Sequence, residues 1–255
     1  MSTVGGLLPE RRDALISLRN ITRVYGKGHA ALYALNSVNL DIASGEFVAV
    51  MGPSGSGKST VMNILGGLDT PTHGHYILHD SHVERLSRDE RAWLRRKYIG
   101  FVFQGFNLLA RTSAQENVEL PLLYRGENAV SRRRLARAAL TSVGLAGWEY
   151  HMPSELSGGQ QQRVAIARAI VTSPTLLLAD EPTGNLDSER SREVMELLVQ
   201  LNVRLGITVV MVTHDSNMAA YARRVINFID GHLRGDWRNT SRESGPVEQD
   251  ATGFD

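Results

Sequence analysis

Apolar residues follow two rhythms along this chain. In ALISLRNITRVY (14–25) and SVNLDI (37–42) apolar and polar side chains alternate, the period of a strand with one dry and one wet face, as in an antiparallel sheet. In FVAV (47–50), YIGFVF (98–103), TLLLAD (175–180) and TVVMVT (208–213) the apolar run is almost unbroken. Such runs, with helical stretches between them, predict parallel strands covered on both faces. VINFIDGHL (225–233) sets Asp230-Gly231 between two strand-like pieces, a two-residue hairpin signal that closes the sheet. SRDERAWLRRKY opens on Ser87 with Glu90 three residues on, a capping-box helix start, and Arg132 to Val143 reads as a second amphipathic helix. Helix dominates from about 104 to 169, so a helical subdomain at about 105–169 is expected between two core strands. One unit over 14–236 is expected, with a short lead-in at 1–13 and a polar tail at 237–255 too poor in apolar surface to offset its ordering entropy.

Composition narrows the classes. At 255 residues and 42% hydrophobic the chain can bury a sizeable core, and its net charge of +1 gives no pull towards nucleic acid or anionic lipid. No cysteine is present, which excludes a disulfide framework, a thiolate nucleophile and a Cys-ligated metal. The eight histidines read as scattered, without paired ligand spacing. No apolar run approaches the roughly 18–20 residues that span a bilayer, and the first residues lack the pattern of a secretory signal.

GPSGSGKST (52–60) sits where an apolar strand ends and a helix-like run begins. Gly52-Pro53-Ser54-Gly55-Ser56-Gly57-Lys58-Ser59 fits the phosphate-loop pattern, with Thr60 just beyond. The glycines let backbone wrap an anion, the helix start offers free N–H groups, Lys58 reaches the β- and γ-phosphates and Ser59 offers a hydroxyl to Mg²⁺. TLLLADE ends in two carboxylates, an odd finish for a buried strand: Asp180 suits Mg²⁺, and Glu181 suits polarising an attacking water. His214 ends a third apolar strand and Gln104 a fourth, where ligand crevices of α/β sheets form; the first reads as a γ-phosphate contact, the second as an amide serving water or the cation. LSGGQQQ (156–162) is a second glycine-bearing turn before a helical run, more than one nucleotide site needs.

Together these motifs, with NLD at 185–187, resemble an ABC-transporter ATP-binding subunit over about residues 14–236. The resemblance implies an α/β fold of the P-loop nucleotide-hydrolase kind: a RecA-like mixed or parallel sheet core, an antiparallel β edge and an inserted helical subdomain. It further implies that ATP is hydrolysed with Mg²⁺ by Glu181, His214, Gln104 and Lys58, the metal being held by Ser59, Gln104 and Asp180. Ser157, Gly158, Gly159 and Gln160 would serve the ATP of a second copy, two subunits closing head to tail around two nucleotides. Tyr25 falls where the family places an aromatic on adenine, and Pro153 and Glu155 lie near the route to a partner subunit. Asn185 departs from the small residue common there, leaving the reach of Asp187 across a dimer open.

GPSGSGKST, LGGLDTPTHG (65–74), FVFQGFNLLARTSAQENVELPLLYRG (101–126) and DEPTGNLD (180–187) are similar to the lipoprotein-release and macrolide-export branch. That branch drives a separate permease with few transmembrane helices, at the cytoplasmic face of the inner membrane, sometimes with a periplasmic adaptor. The stretch after Gln104, with Phe106, Leu108 and Leu109, reads either as a groove for a permease helix or as packing of the helical lobe. A regulator of cell-division or peptidoglycan-hydrolase machinery shares the same engine, as do non-transport ABC ATPases. The latter usually carry coiled-coil insertions or two fused cassettes, and neither is present in this sequence.

Overall fold

The computed structural model describes residues 14–26 and 28–239. The lead-in expected at 1–13 and residues 240–255 of the expected tail lie outside the described residues.

The alternating segments form strands β1 (Ala14–Tyr25) and β2 (Leu32–Ala43). With β4 (His73–Leu78) and β5 (Ser81–His82) they make an antiparallel sheet of their own, in the order β2-β1-β4-β5. A second sheet contains β3 (Phe47–Met51), β6 (Ile99–Phe103), β7 (Leu176–Asp180), β8 (Thr208–Val212), β9 (Arg224–Ile229) and β10 (His232–Arg238). Its order is β10-β9-β3-β8-β7-β6, parallel throughout except for the β9–β10 hairpin.

The unbroken apolar runs are explained by two cores. Val48 and Val50 of β3, Leu176 and Leu178 of β7, and Val210 and Val212 of β8 face the antiparallel sheet, sharing that core with Ile16, Leu18 and Tyr76. Their alternate neighbours Phe47, Ala49, Leu177, Ala179, Val209 and Met211 face a second core built with helices. A strand with period-2 geometry that is dry on both faces has no polar position to show. Helix α1 (Lys58–Leu65) buries Val61, Met62, Ile64 and Leu65, the first, third and fourth of them on the antiparallel side with Met62 beside them.

Helix α2 (Arg88–Tyr98) starts with the capping box expected at Ser87: its hydroxyl accepts from the Glu90 amide, and Glu90 accepts from the Ser87 amide. The stretch after β6 stays irregular until α3 (Ala114–Tyr124), followed by α4 (Ala129–Ser142) and α5 (Gly158–Ile170). Helix α6 (Ser188–Leu205) and the short α7 (Ser216–Ala219) follow β7 and β8. Helix therefore begins about ten residues later than the pattern suggested, because 104–113 is held by side-chain caps such as Asn117 Nδ2 to the Thr112 and Leu109 carbonyls.

Asp230 and Gly231 both take positive φ (48° and 74°), the two-residue turn expected between β9 and β10. The boundary expected at 237 is corrected: β10 continues through Trp237 and Arg238, which pair with Val225 and Arg224. Trp237 lies against Gly235, where an added Cβ would stand 2.5 Å from its ring, so this apolar residue belongs to the strand. No described helix is long and apolar enough to cross a membrane.

Candidate nucleotide site

Four adjacent parallel strands, β3, β8, β7 and β6, end at one edge of the larger sheet, and each is followed by a polar side chain singled out above. Beyond β3 runs the loop 52–57. Gly52 has φ 146°, and a Cβ there would come within 2.1 Å of the Phe228 carbonyl; Gly57 has φ 103°, and its Cβ would meet the Ala34 carbonyl at 2.5 Å. Neither position has room for a side chain. Lys58 turns back over the loop and donates from Nζ to the carbonyls of Gly52 and Pro53, both at 2.8 Å. Gly57, in the left-handed conformation, begins α1 without any side-chain cap, so the first N–H groups of that helix remain available to an anion. Ser56 is 2% exposed and its hydroxyl has no hydrogen-bond partner among the described residues. Pro53, Ser54 and Gly55 form the exposed lip of the loop, with Ser59 exposed and Thr60 half-buried on the first turn of the helix. This cradle fits a phosphate chain.

At the end of β7, Asp180 is half-buried, and its carboxylate makes no hydrogen bond or ion pair among the described residues. Burial raises its pKa above the usual carboxylate value, Glu181 adds to the rise, and Lys58 opposes it. An unpaired, partly dehydrated carboxylate that feels the charge of Lys58 offers oxygen ligands of the kind a hard divalent cation takes. Glu181 adopts φ 47°, rare for a residue with a side chain. Its amide donates to the Val212 carbonyl at 3.0 Å, tying this conformation to the neighbouring strand. Its Oε1 lies 2.8 Å from Nδ1 of His214, beyond β8, and this hydrogen bond raises the histidine's pKa.

Gln104, beyond β6, contacts the turn at 184–185. Its Nε2 lies 3.5 Å from Asn185 Oδ1, Asn185 Nδ2 donates to its backbone carbonyl at 3.0 Å, and it fills the space a Cβ on Gly184 would take. In this conformation it belongs to the 184–185 turn, and Asn185 gains a packing reason that the sequence did not offer.

The 156–162 stretch folds as a helix start. Ser157 caps α5: its hydroxyl accepts from the Gln160 amide at 3.3 Å and its own amide donates to Gln160 Oε1 at 2.9 Å. Gly158 is half-buried against Leu186, and Gly159 is buried against Arg190, where a Cβ would stand 3.2 Å from each neighbour. Ser157 itself is exposed. Among the described residues no hydrogen bond or ion pair joins 156–162 to 52–60.

Tyr25 ends β1, 39% exposed. Its hydroxyl donates to Asp69 Oδ2 at 2.8 Å, and the Arg23 guanidinium lies 4.6 Å from its ring centroid while pairing with Asp69 Oδ1 at 2.8 Å. Arg23 and Asp69 escaped the sequence reading; the only hint was that LGGLD follows the phosphate-loop helix. Arg168 on α5 also escaped it. Its guanidinium donates to the carbonyls of Phe106 and Asn107 at 2.8 and 2.6 Å, gripping two residues at positive φ just after Gln104. Of the three apolar residues read there either as a groove or as packing of the helical lobe, Leu108 packs on the helical core, Phe106 is half-buried and Leu109 is exposed. The open groove in this region, about 600 Å³, is lined instead by Phe101, Phe103, Asn107, Leu120, Pro121 and Tyr124 among others.

Sheet order, phosphate loop and strand-end carboxylates define a P-loop nucleotide hydrolase. Residues 35–184 match the ABC transporter family model, more than half of the chain. The chain belongs to the ABC transporter family, as an ATP-hydrolysing cassette. An ABC transporter ATP-binding protein of Methanocaldococcus jannaschii, MJ0796, is 49% identical over 223 residues, covering 86% of this chain and 95% of that protein. Macrolide export ATP-binding/permease proteins MacB are similar too: that of Escherichia coli is 50% identical over 222 residues, and that of Wolinella succinogenes 48% over 233. The chain spans only about a third of these MacB proteins, 34% and 36%. Among solved structures, a dimeric post-hydrolysis state of MJ0796 bound to ADP and Pi aligns with TM-score 0.80 and 46% identity, over 88% of this chain and 98% of that one.

Proposed function

We propose that two copies of this chain close head to tail around two Mg-ATP, each nucleotide lying between the phosphate loop of one copy and the Ser157–Gln160 turn of the other. The observation that carries this reading is the exposure of Ser157 at a helix start, with no bond to the chain's own phosphate loop. The dimeric MJ0796 structure supports it. Lys58 and the first amides of α1 bind the β- and γ-phosphates, and Tyr25 takes the adenine. Ser59 and Asp180, with Gln104 swung from the 184–185 turn, would hold Mg²⁺, which neutralises charge developing on the phosphates. Glu181 polarises the attacking water, and His214, held by Glu181, contacts the γ-phosphate. Ser157 and the amides of Gly158 and Gly159 add positive potential from the partner copy. Loss of the γ-phosphate removes that bridge and lets the copies part.

The motor drives a membrane permease of the macrolide-export or lipoprotein-release type at the cytoplasmic face of the inner membrane. The MacB resemblance supports the type. The groove by Phe103, Pro121 and Tyr124 is where a permease helix docks, and a periplasmic adaptor joins through the permease.

A mixing experiment tests the shared site. Ser157→Arg and Lys58→Ala are each inactive alone, while a mixture contains heterodimers with one intact site and recovers ATPase activity. No recovery in a mixture that demonstrably heterodimerises rejects the reading. Purification from membranes with native companions, identified by mass spectrometry, tests the permease type; companions confined to cell-division or hydrolase-activating proteins reject it.

A further inference from the structure

The stretch HGHYILHDSHVE (73–84) carries four histidines, and the structure overturns the reading of them as scattered. His79 and Asp80, both at positive φ (46° and 62°), turn β4 directly back into β5, so Ile77 pairs with His82 and Leu78 with Ser81. A single 3₁₀ turn, Val83–Arg85, then returns Glu84 beneath β4. The Glu84 side chain is 13% exposed, and its Oε2 accepts from the Tyr76 amide at 3.1 Å. Its other oxygen, Oε1, is approached by Nδ1 of His75 and by Nδ1 of His82, each at 3.0 Å. The two rings meet edge to face with centroids 5.8 Å apart.

We infer that His75, His82 and Glu84 form a binding site for one divalent transition-metal ion of the zinc class. One ligand atom from each residue lies within 4.8 Å of the others. The 3.0 Å between Oε1 and each Nδ1 is close to the edge of a tetrahedron with metal–ligand bonds of about 2.0–2.1 Å, which is roughly 3.3 Å. Two imidazoles and one carboxylate leave the fourth position to water, the ligand count of open zinc sites. The Tyr76 amide fixes the carboxylate from behind, the outer bond that oriented metal ligands characteristically carry. His75 and His82 are 57% and 38% exposed, which gives an ion a way in. Bound metal would take the Nδ1 lone pairs, each neutral ring carrying its proton on Nε2. The competing cation in place is Arg85, whose Nε lies 3.6 Å from Oε1 on a 66% exposed side chain that can leave. None of the three residues belongs to the nucleotide site, so the inference stands apart from the proposed function.

The test uses the untagged full chain after treatment with a chelator. Calorimetric titration with zinc chloride should show one ion per chain at low micromolar affinity, and cobalt(II) should give visible absorption bands of a nitrogen- and oxygen-ligated tetrahedral centre. His75→Ala, His82→Ala and Glu84→Gln should each weaken zinc by about tenfold or more, with ATP turnover and circular dichroism unchanged as evidence of folding. His82→Gln, a milder change, should weaken it likewise. His73→Ala and His79→Ala, whose rings lie outside the cluster, should bind as the parent does. Absence of binding below millimolar zinc, affinity unchanged in the His75 and His82 variants, or equal loss in the His73 and His79 variants would overturn the assignment; the last means a histidine-rich surface only.

Discussion

Nδ1 of His214 lies 2.8 Å from Oε1 of Glu181, so the residue proposed to polarise water is already engaged by the residue proposed to touch the γ-phosphate. The hydrogen bond to Glu181, helped by its charge, raises the histidine's pKa above 6.5. A raised histidine contributes its interaction fully below the ordinary imidazole value and loses it as pH rises through the raised one. His214 is 73% exposed, so the effect on stability is small, and titration is the better readout. In nucleotide-free protein, NMR should place the His214 titration above the ordinary histidine range, and Glu181→Gln should bring it back down. An unshifted His214 in the parent contradicts the pairing.

Glu181→Gln should also slow hydrolysis about 10²- to 10⁴-fold while leaving ATP binding intact, the range for loss of a general base. The variant should accumulate an ATP-dependent dimer visible by light scattering. Normal turnover removes Glu181 from the chemistry.

Asp180 is raised as well, but by burial rather than by a partner, so its charged form is a cost to folding. Burial first, then Glu181, raises its pKa, so the folded chain holds the proton more tightly than the unfolded one. Stability of the nucleotide-free protein therefore falls as pH rises from the ordinary carboxylate value through the raised one. Asp180→Asn should raise Tm at neutral pH, with the gain vanishing below the ordinary carboxylate range, and should abolish the further rise that Mg-ATP gives the parent. Thermal scans at several pH values decide the sign.

Tyr25 is held by Asp69, which also pairs with the Arg23 stacked on the ring. Releasing the ring costs a half-exposed hydrogen bond and ion pair, about 0.5–1 kcal/mol, which corresponds to roughly two- to fivefold in affinity. Asp69→Ala should raise the KM for ATP by about that factor with kcat little changed. Its effect should shrink in a Tyr25→Phe background, where the hydroxyl it holds is gone. Full additivity means that Asp69 acts elsewhere.

The legible parts of this molecule were those with a local cause. Two-sided burial writes Val48, Leu177 and Met211 as unbroken apolar runs, positive φ writes Asp230-Gly231, and reciprocal capping writes Ser87 with Glu90. Strands β4 and β5 were not read, because His73, His75, His79 and His82 interrupt the apolar pattern while Tyr76 and Leu78 alone carry the buried face. Asp69 to Tyr25, 44 residues apart, and Arg168 to Phe106, 62 apart, leave no periodic trace, since nothing in a local window records which distant carbonyl or hydroxyl a charge will meet.

Arg168 offers the last prediction. It sits on the helix whose first turn is Ser157–Gln160, and it grips Phe106 and Asn107 at φ 60° and 51°, in the loop that leaves Gln104. Two charge-assisted bonds to carbonyls are worth about 1.5–3 kcal/mol each, against about 1–2 kcal/mol of left-handed strain at each residue they hold. The bonds win, but narrowly. Arg168→Ala should therefore cost only about 1–3 kcal/mol of stability by denaturant unfolding while freeing the loop to relax. Because that loop contributes Asn107 to the groove proposed to dock a permease helix, ATP turnover of the isolated cassette should change little, whereas stimulation by a permease should fall. Arg168→Lys, which keeps the charge but cannot reach both carbonyls with one planar fork, should fall between the two. Equal loss of basal and stimulated turnover means that the arginine serves the fold alone.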